Sequence, residues 1–192
     1  MLDVAQGFRR LLEALDRLQI QYMVGGSLAN SAHGIYRSTN HIDIVARLSE
    51  CDVRQLASEL AGDFYADADA MLDALRRGRP FNVIHLGSSS KVDIFPASDA
   101  FTNAQVERAR VEEIVLGAGE AVKCRVATPE DTILAKLMWY RAGGEQSERQ
   151  WSDLRGVRSV QADRLDRAYL DAWARTLRVA DLWQRLLNEG TT

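Results

Sequence analysis

Two aspartates, one histidine and one glycine pair carry the chemical character of this chain. The stretch "MVGGSLANSAHGIYRSTNHIDIVARL", Met23 to Leu48, leads a short apolar segment into Gly25-Gly26-Ser27 and then sets His41 and Asp43 two residues apart. Further on, "KVDIF" places Asp93 between Val92 and Ile94. Glycines between a strand and a helix let a phosphate approach the backbone, and the amides of the helix start then face the anion. Ser27 adds a hydroxyl donor. Gly-Gly-Ser is also an ordinary turn, so its meaning rests on its neighbours. Residues i and i+2 of a strand face the same side, so His41 and Asp43 are expected to project together. A carboxylate in an apolar strand is costly unless it binds something. For Asp43 and Asp93 the bland partner is Arg37 or Lys91; placed together after the glycine pair, they point to a metal site beside a phosphate site.

These side chains need elements to hold them. Val4, Phe8, Leu11, Leu12, Leu15 and Leu18 recur at helical spacing and predict a helix from about Asp3 to Leu18. Ile20 to Val24 read as a strand ended by the glycines, with Ser27 capping a helix over Leu28 to His33 that Gly34 ends. His41 to Leu48 read as a strand, and Cys51 to Leu60 as a helix. "RGRPFNVIHLGSSSKVDIFP" reads as a hairpin turning at Gly87 and the three serines, and "RARVEEIVLGAGEAVKCRVA" as a second strand pair turning at Gly117-Ala118-Gly119. At Thr128-Pro129-Glu130-Asp131 the character changes: a threonine, a proline and two acids open a helix, and three more helical stripes follow. The expected fold class is α+β: a small mixed sheet with packed helices over residues 1–127, then a helical domain over 128–192.

Composition narrows the function classes. The chain has 192 residues, is 46% hydrophobic and 27% charged, and carries a net charge of -3. That balance suits a packed core and argues against a protein that coats nucleic acid, while leaving room for a local basic patch. Cys51 and Cys124 are far apart and form no zinc-finger spacing. The N-terminal "MLDVAQGFRRLLEALDRLQI" lacks a signal-peptide core, and no apolar run approaches the roughly 20 residues of a membrane helix. A cytoplasmic protein without membrane contact is the expectation. Other motifs read as structural: His33 and His85 lack ligand-spaced partners, Trp139, Trp151, Trp173 and Trp183 fall in helical segments as core or interface residues, and Arg76-Arg77-Gly78-Arg79 is a solvated basic turn. No GxSxG, P-loop or dinucleotide fingerprint occurs.

The sequence of motifs, Gly-Gly-Ser, then Arg37-Ser38-Thr39-Asn40-His41-Ile42-Asp43-Ile44, then Val92-Asp93-Ile94-Phe95, resembles nucleotidyltransferases of the DNA polymerase β superfamily over about Tyr22 to Phe95. Within it, the chain is most similar to small bacterial proteins related to AbiEii-type toxins; "TPEDTILAKLMWY" and "SERQWSDL" are the less specific part of that resemblance. The resemblance implies transfer of a nucleoside monophosphate from a nucleoside triphosphate to an acceptor hydroxyl, with carboxylates holding two Mg²⁺ or Mn²⁺ ions. It assigns Gly25, Gly26 and Ser27 to the β- and γ-phosphates, Asp43 and Asp93 to metal binding and catalysis, and Arg37 and Lys136 to the nucleotide. Asp153 resembles a further position of the toxin-like subgroup; for Lys136 and Asp153 a surface helix role is the alternative. The acceptor stays open among RNA, a protein hydroxyl and a small molecule. A small protein partner, as in a toxin–antitoxin pair, is a further expectation of the subgroup.

His41 departs from the family, which has an aspartate there. Mg²⁺ prefers anionic oxygen, whereas imidazole suits Mn²⁺, Zn²⁺ or Ni²⁺. The metal set expected here is His41, Asp43 and Asp93. Three accounts follow: a damaged two-metal site, a site retuned to another metal, or an inactive relative that serves as a non-catalytic nucleotide-binding module.

Overall fold

The computed structural model describes residues 4–34, 41–116 and 120–189. The chain divides into two compact units, Met1–Leu28 with Ser38–Ala127, and Ala29–Arg37 with Thr128–Thr192. The first holds a seven-stranded mixed sheet. Its strands are β1 (Tyr22–Val24), β2 (Ile42–Ala46), β3 (Phe64–Tyr65), β4 (Phe81–His85), β5 (Lys91–Pro96), β6 (Arg110–Leu116) and β7 (Glu120–Val126), ordered β3-β4-β5-β2-β1-β7-β6. The helices of this unit are α1 (Val4–Arg17), α3 (Glu50–Glu59), α4 (Ala68–Arg76) and α5 (Ala100–Arg108); α2 (Gly26–His33) begins in it. β2 and β5 run parallel at the centre, and β1 pairs antiparallel with β2.

The periodicities produce these elements. In α1 the stripe Phe8, Leu11, Leu12 and Leu15 is at most 4% exposed, each side chain contributing roughly 1.5–3 kcal/mol on burial. β2 and β5 alternate buried and half-buried positions, with Ile42, Ile44, Val92 and Ile94 facing the core. Asp43 and Asp93 occupy the alternate, more open face. α3 opens with a capping box in which Ser49 and Asp52 satisfy each other's backbone amides.

The second unit packs α6 (Pro129–Ala142), α7 (Glu148–Gln161), α8 (Arg167–Thr176) and α9 (Ala180–Asn188). Trp151 and Trp183 are both 1% exposed, and their indole N–H groups donate to Glu189 and Asp171, each at 2.7 Å. Trp139, expected in a core or interface, is 61% exposed and so lies outside the core. Asp131 is fully buried, accepting from the Thr128 hydroxyl at 2.8 Å and the Tyr169 hydroxyl at 2.7 Å. Those bonds join the start of α6 to α8 and account for the acid in the Thr-Pro-Glu-Asp opening. Among the described residues no helix is long and apolar enough to cross a membrane.

Among the described residues, β3, α4, α5 and a single 3-10 turn at Ala162–Arg164 are elements the sequence patterns did not announce. α4 and α5 are short helices begun by Asp67 and Asp99 caps. α2 begins at Gly26, so Ser27 stands in its first turn and not ahead of it as a cap. His41 stands immediately before β2, outside the strand expected to include it. The turn expected at residues 117–119 lies outside the described residues.

Candidate active site

The β2–β5 register sets Asp43 directly opposite Asp93. Residues paired across adjacent strands share a face, with Cβ atoms roughly 5 Å apart. The two carboxylates are therefore neighbours on the open face of the sheet. Lys91, two residues before Asp93 and on the same face, pairs with it at 2.8 Å. The basic partner named for Asp93 from the sequence is thus present.

The glycine turn folds onto Asp43. The Gly25 N–H donates to the Asp43 carbonyl at 2.8 Å and extends the β1–β2 ladder. The Ser27 backbone amide, in the first turn of α2, stabilises the charged form of the Asp43 carboxylate. Gly26 has a left-handed φ of 56°. A Cβ there would overlap Asp43 Oδ2 and lie 2.7 Å from its Cγ. Only glycine meets both conditions, backbone hand and close approach. At Gly25 an added Cβ would find nothing nearer than the Asp43 carbonyl oxygen at 4.0 Å.

Asp43 holds its proton more tightly than an ordinary aspartate. Burial is the largest cause and the charge of Asp93 the next; His41, the Ser27 amide and Lys91 act in the opposite direction. The two adjacent carboxylates repel each other, and the Lys91 ammonium beside Asp93 offsets part of that repulsion. His41 is exposed, and its charge reaches Asp43. Among the described residues no three His, Cys, Asp or Glu side chains converge as ligands for a metal ion. The structure thus brings Asp43 and Asp93 together with Gly25, Gly26 and Ser27, and sets His41 at the margin. Lys136 belongs to the second unit, where it pairs with Asp153 at 2.9 Å. Arg37 lies outside the described residues.

The raised proton affinity gives a stability prediction. Folded Asp43 keeps its proton to higher pH than the unfolded chain does, so its contribution is fully present at acid pH and lost as pH rises through the folded value. Asp43→Asn carries no charge to repel. It should leave acid stability unchanged and raise neutral stability by about 0.5–2 kcal/mol, the usual gain from relieving a strained functional site. Urea melts of the metal-free protein at pH 3.5 and 7.5 test this, and an equal effect at both pH values would count against it.

No family model and no curated protein sequence matches the chain. Solved structures do. The chain is similar to the antibiotic-resistance factor ANT(2'')-Ia in solution, at 16% identity and a TM-score of 0.53, over 94% of this chain and 95% of that one. It is similar to ANT(2'')-Ia crystallised with adenylyl-2''-tobramycin, at 15% identity and a TM-score of 0.52, over 91% and 96% of the two chains. An antigenic nucleotidyltransferase-like protein from Paracoccidioides brasiliensis matches at 14% identity and a TM-score of 0.48, over 96% and 89%. The α+β fold is the one seen in the two ANT(2'')-Ia structures.

Proposed function

We propose that this chain transfers a nucleoside monophosphate from a nucleoside triphosphate to an acceptor hydroxyl. The observation that carries the reading is the register of Asp43 against Asp93 beside the Gly25–Ser27 turn, within a nucleotidyltransferase fold. The donor set fits Mg²⁺ or Mn²⁺: two carboxylates are what Mg²⁺ takes when phosphates and water complete its shell. The bound cation would polarise the α-phosphate and offset charge on the attacking and leaving oxygens.

The chain's own groups do the rest. Asp43 and Asp93 hold the cation, and Asp93 accepts the proton of the attacking hydroxyl. Lys91, paired with Asp93 at 2.8 Å, would add a positive charge beside the carboxylates that would hold the cation. The phosphate contacts fall to Gly26 and Ser27, since the Gly25 amide is bound to the Asp43 carbonyl.

The acceptor proposed is a polyhydroxylated small molecule. Support comes from the near-complete mutual coverage with ANT(2'')-Ia, a protein crystallised with adenylyl-2''-tobramycin. Pyrophosphate release should be assayed with the four triphosphates, Mg²⁺ or Mn²⁺, and hydroxylated small molecules including tobramycin. Asp93→Asn should fall by on the order of 10³-fold, as for loss of a group that acts in the transition state. Wild-type turnover that survives Asp93→Asn unchanged would overturn the assignment of this site.

A further inference from the structure

The strand register brings a third oxygen-bearing side chain to the aspartates. Asn82 in β4 lies opposite Asp93, as Asp43 lies opposite it in β2. Paired residues share a face. Asp43, Asp93 and Asn82 therefore form one row across three adjacent strands, each step about 4.8 Å. Asn82 is exposed, while its chain neighbours Phe81 and Val83, 8% and 0% exposed, turn to the core face. Asparagine is disfavoured in strands, and here it interrupts an otherwise apolar run, Phe81-Asn82-Val83-Ile84.

We infer that the Asn82 side-chain carbonyl is a third protein oxygen donor for the divalent cation, on the Asp93 side of the site. The inference rests on the function proposed above and adds to it a residue on a different strand from the family's carboxylates. An amide oxygen is a hard, neutral ligand suited to Mg²⁺ and Mn²⁺. It supplies a donor without adding a third negative charge beside Asp43 and Asp93, which already repel each other. Nor does it conflict with the lack of a three-member His, Cys, Asp and Glu cluster among the described residues, because the third donor is of another type. His41, by contrast, stands outside the β2 ladder.

The order of groups across the sheet gives Asn82 its end of the site. From β1 through β2 and β5 to β4, the row reads glycine turn, Asp43, Asp93, Asn82. An in-line phosphoryl transfer puts leaving pyrophosphate and attacking hydroxyl on opposite sides of the α-phosphorus. With the glycine turn at the pyrophosphate end, Asn82 falls at the acceptor end, beside the carboxylate that takes the proton.

The test is Mn²⁺ binding to the full chain, read as the electron paramagnetic signal of free aquated Mn²⁺, with no nucleotide or turnover involved. Asn82→Ala should weaken Mn²⁺ binding by on the order of tenfold, and Asn82→Asp should strengthen it by a similar factor. Asp93→Asn should abolish it. Asn82→Ala is an exposed substitution, and thermal melting of each variant checks that the fold is kept. Unchanged affinity in Asn82→Ala, with loss in Asp93→Asn, would overturn the role of Asn82 and leave the proposed function standing. No Mn²⁺ binding by the wild-type chain at millimolar concentration would overturn the metal reading of Asp43 and Asp93, and this inference with it.

Discussion

A Gly26→Val protein is expected to fold and to bind ATP on the order of 100-fold more weakly than wild type, about 2.7 kcal/mol. Two costs meet at this position. Valine is strained at the left-handed φ of 56°, at about 1–3 kcal/mol. Its Cβ would also occupy the space of the Asp43 carboxylate. A domain stable by about 5–15 kcal/mol survives such a loss, but the site does not stay as it is. Either the start of α2 withdraws, taking the Ser27 amide from Asp43, or Asp43 swings from its place beside Asp93. The first outcome removes the phosphate cradle and the second removes the cation. The internal control is Gly25→Ala, whose methyl group meets nothing closer than 4.0 Å and should change affinity by less than about threefold, within the usual spread of neutral substitutions. Calorimetric titration with ATP in the presence of Mn²⁺, alongside thermal melts, reads both. A folded Gly26→Val chain with wild-type affinity would sink the phosphate assignment.

That contrast between adjacent glycines marks how far the sequence could be read. Position between a strand and a helix identifies the pair but not which member is indispensable. The difference lies in a backbone dihedral and in a carboxylate from a strand some distance along the chain. Alternation in Ile42 to Ala46 and Lys91 to Pro96 is enough to place Asp43 and Asp93 on strands and away from the core face. Their pairing is a matter of register, which the parallel β2–β5 contact decides. Asn82 is invisible for the same reason: an isolated asparagine in a strand reads as solvent-facing until its neighbour across the ladder is known. α4 and α5 escaped because they are two-turn helices begun by aspartate caps in segments rich in small and polar residues, where no long apolar stripe builds up. His41 was expected on the strand because the alternation extends through it. β2 in fact begins one residue later, at Ile42.

The histidine sets the last prediction. His41→Asp is expected to tighten Mg²⁺ binding by about tenfold and to raise Mg²⁺-dependent transfer, while making the metal-free protein less stable at neutral pH. In the wild-type chain the charge of His41 acts to lower the proton affinity of Asp43, against burial and Asp93, which raise it. Replacing that influence with a carboxylate reverses its sign, so the proton affinity of Asp43 should rise further and the empty site should be more strained. A dication gains from the same change. A unit charge about 5 Å from a dication contributes roughly 7 kcal/mol at an effective dielectric constant near 20. The exposed position of residue 41 screens this, leaving about 1.4 kcal/mol, or tenfold, as the expected gain. The measurements are Mg²⁺ and Mn²⁺ titrations by calorimetry, melting at pH 7.5 with and without Mg²⁺, and pyrophosphate release with each ion. If His41→Asp binds Mg²⁺ no better and transfers nothing with any triphosphate or hydroxylated acceptor, the histidine is not what limits the chemistry. The chain is then better described as a nucleotide-binding module that keeps the fold and the glycine turn without turnover.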